Sequence, residues 1–368
     1  MMIVTPAITA RLNLIFGRIP DLLAGDRQPE PKDEIFTTMH TLSFILSLFI
    51  VSLPVLAGTG AVQENSSPKR FEFTQYHMGV DVRIVLYSAD QSLAERAAGA
   101  AFDRFAQLDD IMSDYRPKSE LMRLCAKAGG PPVPVSNELF VAIERSQELA
   151  RRTDGGFDIT CSPIVKLWRK ARKSRTLPPP DELAKAKALT GWRNVRLDAK
   201  HRMVQLLKPG MMLDLGGIGK GYGDDGAQQV LKRYGITSAL IEAGGDIVVT
   251  NPPPGKPGWV IRVANAGKPG DSPDLTFANV AVSTSGDTEQ FVEIEGKRYS
   301  HIVDPHTGLG LTDRIEVTIV ATDGLTSDGL STAVSVVGPQ KGRKLVKMYP
   351  GTSVYIKFAS DAKDSPSK

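Results

Sequence analysis

Five of the eight residues from Gly216 to Gly223 are glycine, in the order Gly-Gly-Ile-Gly-Lys-Gly-Tyr-Gly. Few backbones accept such a run. It follows Met211–Leu215, which reads as a short strand, and precedes a helix expected from about Asp224 to Tyr234 and stopped by Gly235. Glycine at such a junction lets backbone N–H groups and a helix start approach a phosphate closely, with Lys220 adding a cation. The alternative is a tight turn that needs glycine only for packing. Gly221, Gly223 and Gly226 formally satisfy G-x-G-x-x-G, with Glu242 downstream as a ribose ligand. In a dinucleotide-binding unit, however, the first glycine closes the strand, and here Gly216 to Lys220 intervene. A Walker loop fails as well, because Gly221 follows Lys220 where a hydroxyl residue is required.

The surrounding pattern is α+β. Phe71 to Tyr87 alternates like two strands around a Met78-Gly79 turn, and helices are expected over Ala94–Met112 and Asn137–Thr153. After a basic patch from Lys166 to Arg175, Val195 to Val204 reads as a hairpin, and this whole region is expected to be peripheral. Strands are expected at Ser238–Ile241, Trp259–Val263, Ala278–Thr284, Phe291–Ile294, Tyr299–Val303 and Ile315–Ala321, then a helix over Ser327–Val337. Strands outnumber helices and are joined by short links, so largely antiparallel or mixed sheets flanked by helices are favoured over a doubly wound sheet. The 368 residues suffice for one large domain or two average ones. With 41% apolar and 23% charged residues, the chain is neither disordered nor a polytopic membrane protein. A net charge of +4 without a basic block gives no reason to expect nucleic acid as a partner.

From Ile35 to Gln63 there is no Asp, Glu, Lys or Arg, and Leu42 to Leu56 is strongly apolar. Pro54 and the small residues Ala57, Gly58 and Gly60 suit a secretory signal better than a span of about 20 residues. A retained amino-terminal anchor is the alternative. Either way the remainder is expected outside the cytoplasm, periplasmic or anchored in the inner membrane and facing the periplasm. Met39 is a possible true start, and no cysteine follows the apolar run to carry a lipid. Residues 1–61 are therefore read as extension and signal or anchor, 62–355 as the functional domain, and 356–368 as a flexible tail.

Asp328 and Thr332 are four apart on an expected helix, so carboxylate and hydroxyl share a face. Such hard oxygen donors suit Mg²⁺, although a solvated face or a helix cap has the same spacing. His301, ahead of the Asp304-Pro305 turn, is either a general base or a structural histidine. Ser283-Thr284-Ser285-Gly286-Asp287 lacks triad partners and reads as a ligand-contacting turn. Cys125 and Cys161 are too few for a disulfide framework or a zinc site, and whether they pair is open.

Taken in order, these segments resemble the ApbE family of flavin transferases, the FAD:protein FMN transferases. The resemblance runs from about Phe71 to Gly338. It is carried by His77-Met78-Gly79, Ser113-Asp114-Tyr115-Arg116 with Ser119-Glu120-Leu121, Gly156-Phe157-Asp158-Ile159-Thr160, and Asp214 to Tyr222. It continues through Gly244-Gly245-Asp246-Ile247, Ser283 to Asp287, His301 to Pro305 and Asp328 to Ala333. The resemblance implies the family's T-fold-like architecture and Mg²⁺-dependent cleavage of FAD, with FMN passing to a threonine or serine hydroxyl of an acceptor protein and AMP leaving. It further implies Asp328, Thr332 and the Gly217 carbonyl as metal ligands, and His301, with Asp328, as catalytic. Met78, Tyr115, Asp158, Lys220, Glu242, Gly245, Asp246, Thr284, Ser285 and His301 would line the FAD site. The expected acceptor is a flavoprotein such as a subunit of a membrane redox complex or an exported reductase. Gly217 and Gly219 stand where many members have alanine, Val80 where threonine is common, and Ser331 where alanine often precedes the threonine. The rival readings are a Mg²⁺-dependent FAD pyrophosphatase that releases FMN and AMP, an exported FAD-binding protein without turnover and, more distantly, a Rossmann oxidoreductase.

Overall fold

The computed structural model describes residues 67–263, 274–286 and 291–358, all within the unit Gln63–Lys368. The signal or anchor segment, Asp287 and the tail from 359 onward lie outside the described residues. The chain opens with a hairpin of β1 (Lys69–His77) and β2 (Val80–Ser88), turned at Met78 and Gly79, whose φ values are +50° and +82°. Helix α1 (Gln91–Met112) follows, its amino end capped by Asp90, whose side chain accepts from the N–H groups of Ser92 and Leu93. A compact lobe comes next: α2 (Glu120–Cys125), β3 (Val133–Pro134), α3 (Asn137–Arg152), α4 (Ser162–Ser174), α5 (Pro180–Leu189), β4 (Val195–Asp198) and β5 (Met203–Leu206). Ser136 caps α3, and, as the sequence suggests, β4 and β5 form a hairpin, which β3 extends into a small sheet.

Helix α6 (Gly219–Arg233) leads into β6 (Ala239–Ala243), β7 (Asp246–Val249), and the separate pair β8 (Trp259–Arg262) and β9 (Asp274–Phe277). Then come β10 (Val280–Gly286), the hairpin of β11 (Phe291–Ile294) and β12 (Lys297–Ser300), β13 (Ile315–Ala321), α7 (Gly324–Val346) and β14 (Ser353–Phe358). One seven-stranded sheet, in the order β1-β2-β6-β7-β10-β13-β14, is antiparallel at every described pairing.

Alternation along the strands gives this sheet two faces. Ile84, Leu86, Ile241, Val248 and Ala281 pack against the alanine-rich side of α1 and against α6. Val85, Leu240, Val249 and Val282 point the other way, onto Trp259 and Ile261 of β8. The alanines of α1 at positions 94, 97, 98 and 101 are all buried, and they let the helix lie close to the sheet.

Four expectations change. Residues 211–215 form no strand, and α6 begins at Gly219, five residues earlier than expected. The reason is tertiary: Gly221, Gly223 and Gly226 face Gly324, Phe105 and Leu108 so closely that a Cβ would strike them. The chain also remains in the sheet through Phe358, so the described domain passes 355. Finally, the segment carrying the basic patch is no periphery, since Ile164 and Trp168 of α4 are buried against Tyr299 and Val303. No helix among the described residues is long and apolar enough to cross a membrane.

Candidate active site

Two glycines bring the chemistry together. Where α6 meets the start of α7, a Cβ on Gly221 would lie 2.0 Å from the Gly324 carbonyl oxygen, and one on Gly324 2.3 Å from that of Gly221. The backbones therefore touch, and the Gly221 N–H donates to Asp328 Oδ2 at 3.1 Å. Lys220, one residue earlier, reaches Asp246 at 2.9 Å and Asp328 at 3.8 Å. Asp246 opens β7 just after Gly244 and Gly245, whose φ values of +56° and +94° turn the chain sharply enough to place it there. Gly217 sits beside Thr332: a Cβ built on the glycine would be 3.2 Å from the threonine Oγ1. Asp328, Thr332, Gly217, Lys220, Gly245 and Asp246 thus converge from three segments distant in sequence.

The electrostatics are acidic. Asp224 is fully buried, and neither carboxylate oxygen has a hydrogen-bond partner. Burial pushes its carboxyl well above the usual range, and Asp246, Asp225 and Asp328 push it further. Burial likewise lifts Asp328 to about 7, with Asp246 adding to the shift and Lys220 opposing it. Burial also works against the Lys220 ammonium, but Asp246 and Asp328 outweigh it and hold its pKa above the ordinary lysine value. Asp225 has a different task. Its two oxygens accept from the Gly324 and Leu325 N–H groups at 2.7 and 2.9 Å, capping α7 from another helix.

One ammonium facing three buried carboxylates, one of them unpartnered, is an environment that favours an added cation. Among the described residues no three His, Cys, Asp or Glu side chains are arranged to hold a metal. The hard oxygen donors nearest Gly217 are the Thr332 hydroxyl and, one turn away on α7, the Asp328 carboxylate. That set fits Mg²⁺, which keeps several waters or phosphate oxygens in its shell.

The other expected residues lie on several elements. Met78 packs over α6, its sulfur 3.4 Å from where a Cβ on Gly223 would stand. Ser285 hydrogen-bonds Ser331 of α7 at 2.7 Å, as Ser283 does Ser327, whereas Thr284 faces away and meets Thr318 of β13 at 2.9 Å. Tyr115 is 72% exposed, lies over the guanidinium of Arg169 and borders an open recess of about 710 Å³ that Arg116, Lys118 and Arg123 also line. Neither Lys220 nor Asp328 lines that recess. His301 is half-buried at a bend just past β12, not within a strand, because the pairing with β11 ends at Ser300. The loop after it is fastened by Asp304, which accepts from the His306 N–H, and by Trp168, whose Nε1–H donates to Gly308 O at 2.8 Å.

Two residues stand apart. Glu242 lies on the opposite sheet face from Ile241 and Ala243, and it pairs across strands with Arg83 at 2.9 Å. It does not join the Lys220 cluster, and strand alternation is the cause. Asp158 is buried, and its oxygens accept from the Thr160 N–H and hydroxyl and from the Trp192 N–H, which fixes a turn. Sequence reasoning did not single out Asp224, Asp225 or Arg169. The Asp-Asp pair four and five residues after Lys220 was a signal for the first two, once the helix is known to include the glycines. Both cysteines are free, and burial raises both thiols, which leaves them poor nucleophiles.

Comparisons with known proteins show the family and the fold. Residues 78–356 match the ApbE family. The FAD:protein FMN transferase of Treponema pallidum is 31% identical over 321 residues, covering 83% of this chain and 89% of that protein. The FAD:protein FMN transferase of Klebsiella pneumoniae is 31% identical over 280 residues, 75% of this chain and 85% of that protein. Among solved structures, the ApbE protein of Thermotoga maritima superposes with a TM-score of 0.69 at 32% identity, covering 78% of this chain and 94% of that one. The flavin transferase ApbE of Vibrio cholerae gives 0.70 at 27%, with 80% and 95% covered. The fold is that of the flavin transferases. The chain belongs to the ApbE family.

Proposed function

We propose that this chain transfers FMN from FAD to a threonine or serine hydroxyl of an acceptor protein. The hydroxyl oxygen forms a bond to the FMN phosphorus, the bond from that phosphorus to the bridging oxygen of the pyrophosphate breaks, and AMP leaves with that oxygen. The observation that carries the reading is the junction of α6 and α7, where Lys220, Asp246 and Asp328 meet beside Gly217 and Thr332. Phosphoryl transfer is chiefly a matter of positioning and charge neutralisation, and a lysine set beside oxygen donors suited to a cation supports this reading.

Lys220 holds phosphate oxygens, while Met78, Tyr115 and Gly245 border the nucleotide. Asp328, Thr332 and the Gly217 carbonyl would hold Mg²⁺, which when bound neutralises charge developing on the phosphates. His301 takes the proton of the acceptor hydroxyl, a task for which imidazole is suited. The charge-free segment Ile35–Gln63 supports export, with the domain in the periplasm or anchored in the inner membrane facing it. A subunit of a membrane redox complex or an exported reductase is the kind of acceptor that location offers.

The test is incubation of the protein with FAD, Mg²⁺ and a candidate acceptor, followed by denaturing electrophoresis and flavin fluorescence. A fluorescent acceptor band that disappears with excess chelator and with Asp328→Ala, while FAD still binds, is expected. Free FMN and AMP without labelled acceptor would assign a pyrophosphatase instead. Full labelling by Asp328→Ala would remove this site assignment.

A further inference from the structure

Arg169 lies on α4, in the stretch that reads in sequence as a solvated basic patch. Its guanidinium instead contacts two buried carboxylates, Asp114 at 2.5 Å and Asp214 at 2.9 Å, whose side chains are only 6% and 10% exposed. The same group stacks under Tyr115, 4.1 Å from the ring centroid. Asp114 directly precedes Tyr115 in the chain. Asp214 accepts from the Gly216 N–H at 2.8 Å, at the head of the loop that puts Gly217 beside Thr332.

An aromatic ring that is 72% exposed ordinarily samples several rotamers. This one rests on a planar cation fixed from two sides, and its outer face is open. A ring immobilised in advance loses little freedom when a flat ligand stacks on it. The planar fork of arginine can bridge two carboxylates and present a flat face to tyrosine at the same time, which a lysine ammonium cannot do.

We propose that Arg169 is a positioning residue that holds Tyr115 as a stacking platform for a ring system of FAD and ties that platform to the glycine loop. This rests on the flavin-transfer reading above. Arg169 contacts Asp114, Asp214 and Tyr115. It acts through Tyr115 on substrate affinity.

The experiment measures FAD binding to the full chain by quenching of flavin fluorescence, for the parent protein, Arg169→Lys, Tyr115→Leu and the double variant, each checked for folding by circular dichroism. Riboflavin and AMP, titrated separately, show which ring uses the platform. Either single substitution is expected to weaken FAD binding about tenfold, within the range that stacking on an aromatic contributes. The double variant should bind no more weakly than either single one, because both remove one platform. For Arg169→Lys, KM for FAD should rise in step, with kcat at saturating FAD within about twofold of the parent, a split that a merely structural role would not give. Parent-like FAD affinity in Arg169→Lys, or single effects that multiply in the double variant, would overturn the proposal. A parent protein that binds no FAD would overturn the flavin-transfer reading itself, and this inference with it.

Discussion

Where α6 meets α7 the protein places backbone against backbone, whereas the segment bearing Tyr115 is held by side chains. At the first wall Gly221 and Gly324 leave no room for a methyl group, and the contact decides where Lys220 and Asp328 lie. At the second, one guanidinium gathers two carboxylates and a ring. Both walls bury acids, but they treat them differently. Asp114 and Asp214 share Arg169, while Asp224 keeps two unpartnered oxygens and Asp328 has Lys220 only at 3.8 Å. The first wall is thus rigid in backbone and under-neutralised, a suitable place to receive a cation and phosphates. The second is neutralised and tunable, a suitable place to adjust affinity for a ring.

The contrast can be broken most severely at Gly221. Gly221→Ala puts a Cβ 2.0 Å from a backbone oxygen and 2.8 Å from Asp328 Cβ, and backbone cannot step aside as a flexible side chain does. A loss of about 3 kcal/mol or more, at or beyond the upper end of overpacking penalties, is expected in urea unfolding, with FMN transfer abolished. Stability equal to the parent would show that the helices do not meet as closely as described.

An intermediate effect follows from the buried acids. Burial raises both Asp225 and Asp328 to about 7 from an ordinary 3.8, so the folded chain retains protons that the unfolded chain releases. The sign is therefore a loss: the stabilisation is complete below pH about 4 and disappears as pH rises to about 7, by up to a few kcal/mol per group. Thermal unfolding in chelator should show a lower Tm at pH 8 than at pH 5. Mg²⁺ should recover the share belonging to Asp328 but not that of Asp225, whose oxygens are occupied by the α7 N–H groups. A Tm independent of pH across this window would contradict the assignment.

The smallest effect belongs to Gly219, two residues from Gly221 and on the same helix. A Cβ there meets nothing within 4 Å, so Gly219→Ala should stabilise by about 0.4–1 kcal/mol through the unfolded chain alone. Unfolding free energies of the two alanine variants, measured side by side, check this. A destabilised Gly219→Ala would mean that the glycines of this run act through backbone freedom and not through contact.

Much of this was legible beforehand, and the gaps have physical causes. The β1-β2 hairpin, α1 and α3 follow from alternation and helical spacing, whereas the grouping of Gly217 with Asp328 and Thr332 came only from the family resemblance. The start of α6 did not, because glycine content argues against helix locally while contacts with Phe105 and Gly324 favour it globally. β7 and β14 went unread, the one hidden behind a glycine turn and the other at the edge of the sheet. Glu242 falls outside the Lys220 cluster although it lies beside Ala243-Gly244-Gly245-Asp246 in sequence, because strand alternation sends neighbours to opposite faces. Arg169 was invisible for a simpler reason: its partners are 55 and 45 residues away.

The cap that Asp225 places on α7 has a kinetic consequence. Carboxylate and helix start are 99 and 100 residues apart, with four strands of the central sheet and two smaller hairpins between or beside them. Closing so long a loop before any local reward exists is entropically slow. During synthesis α6 emerges long before the helix it must cap, so Asp225 has to wait, hydrated, for donors that do not yet exist. Folding of this domain should therefore reach its last committed step late, when α7 docks and a carboxyl leaves water for the two N–H groups prepared for it.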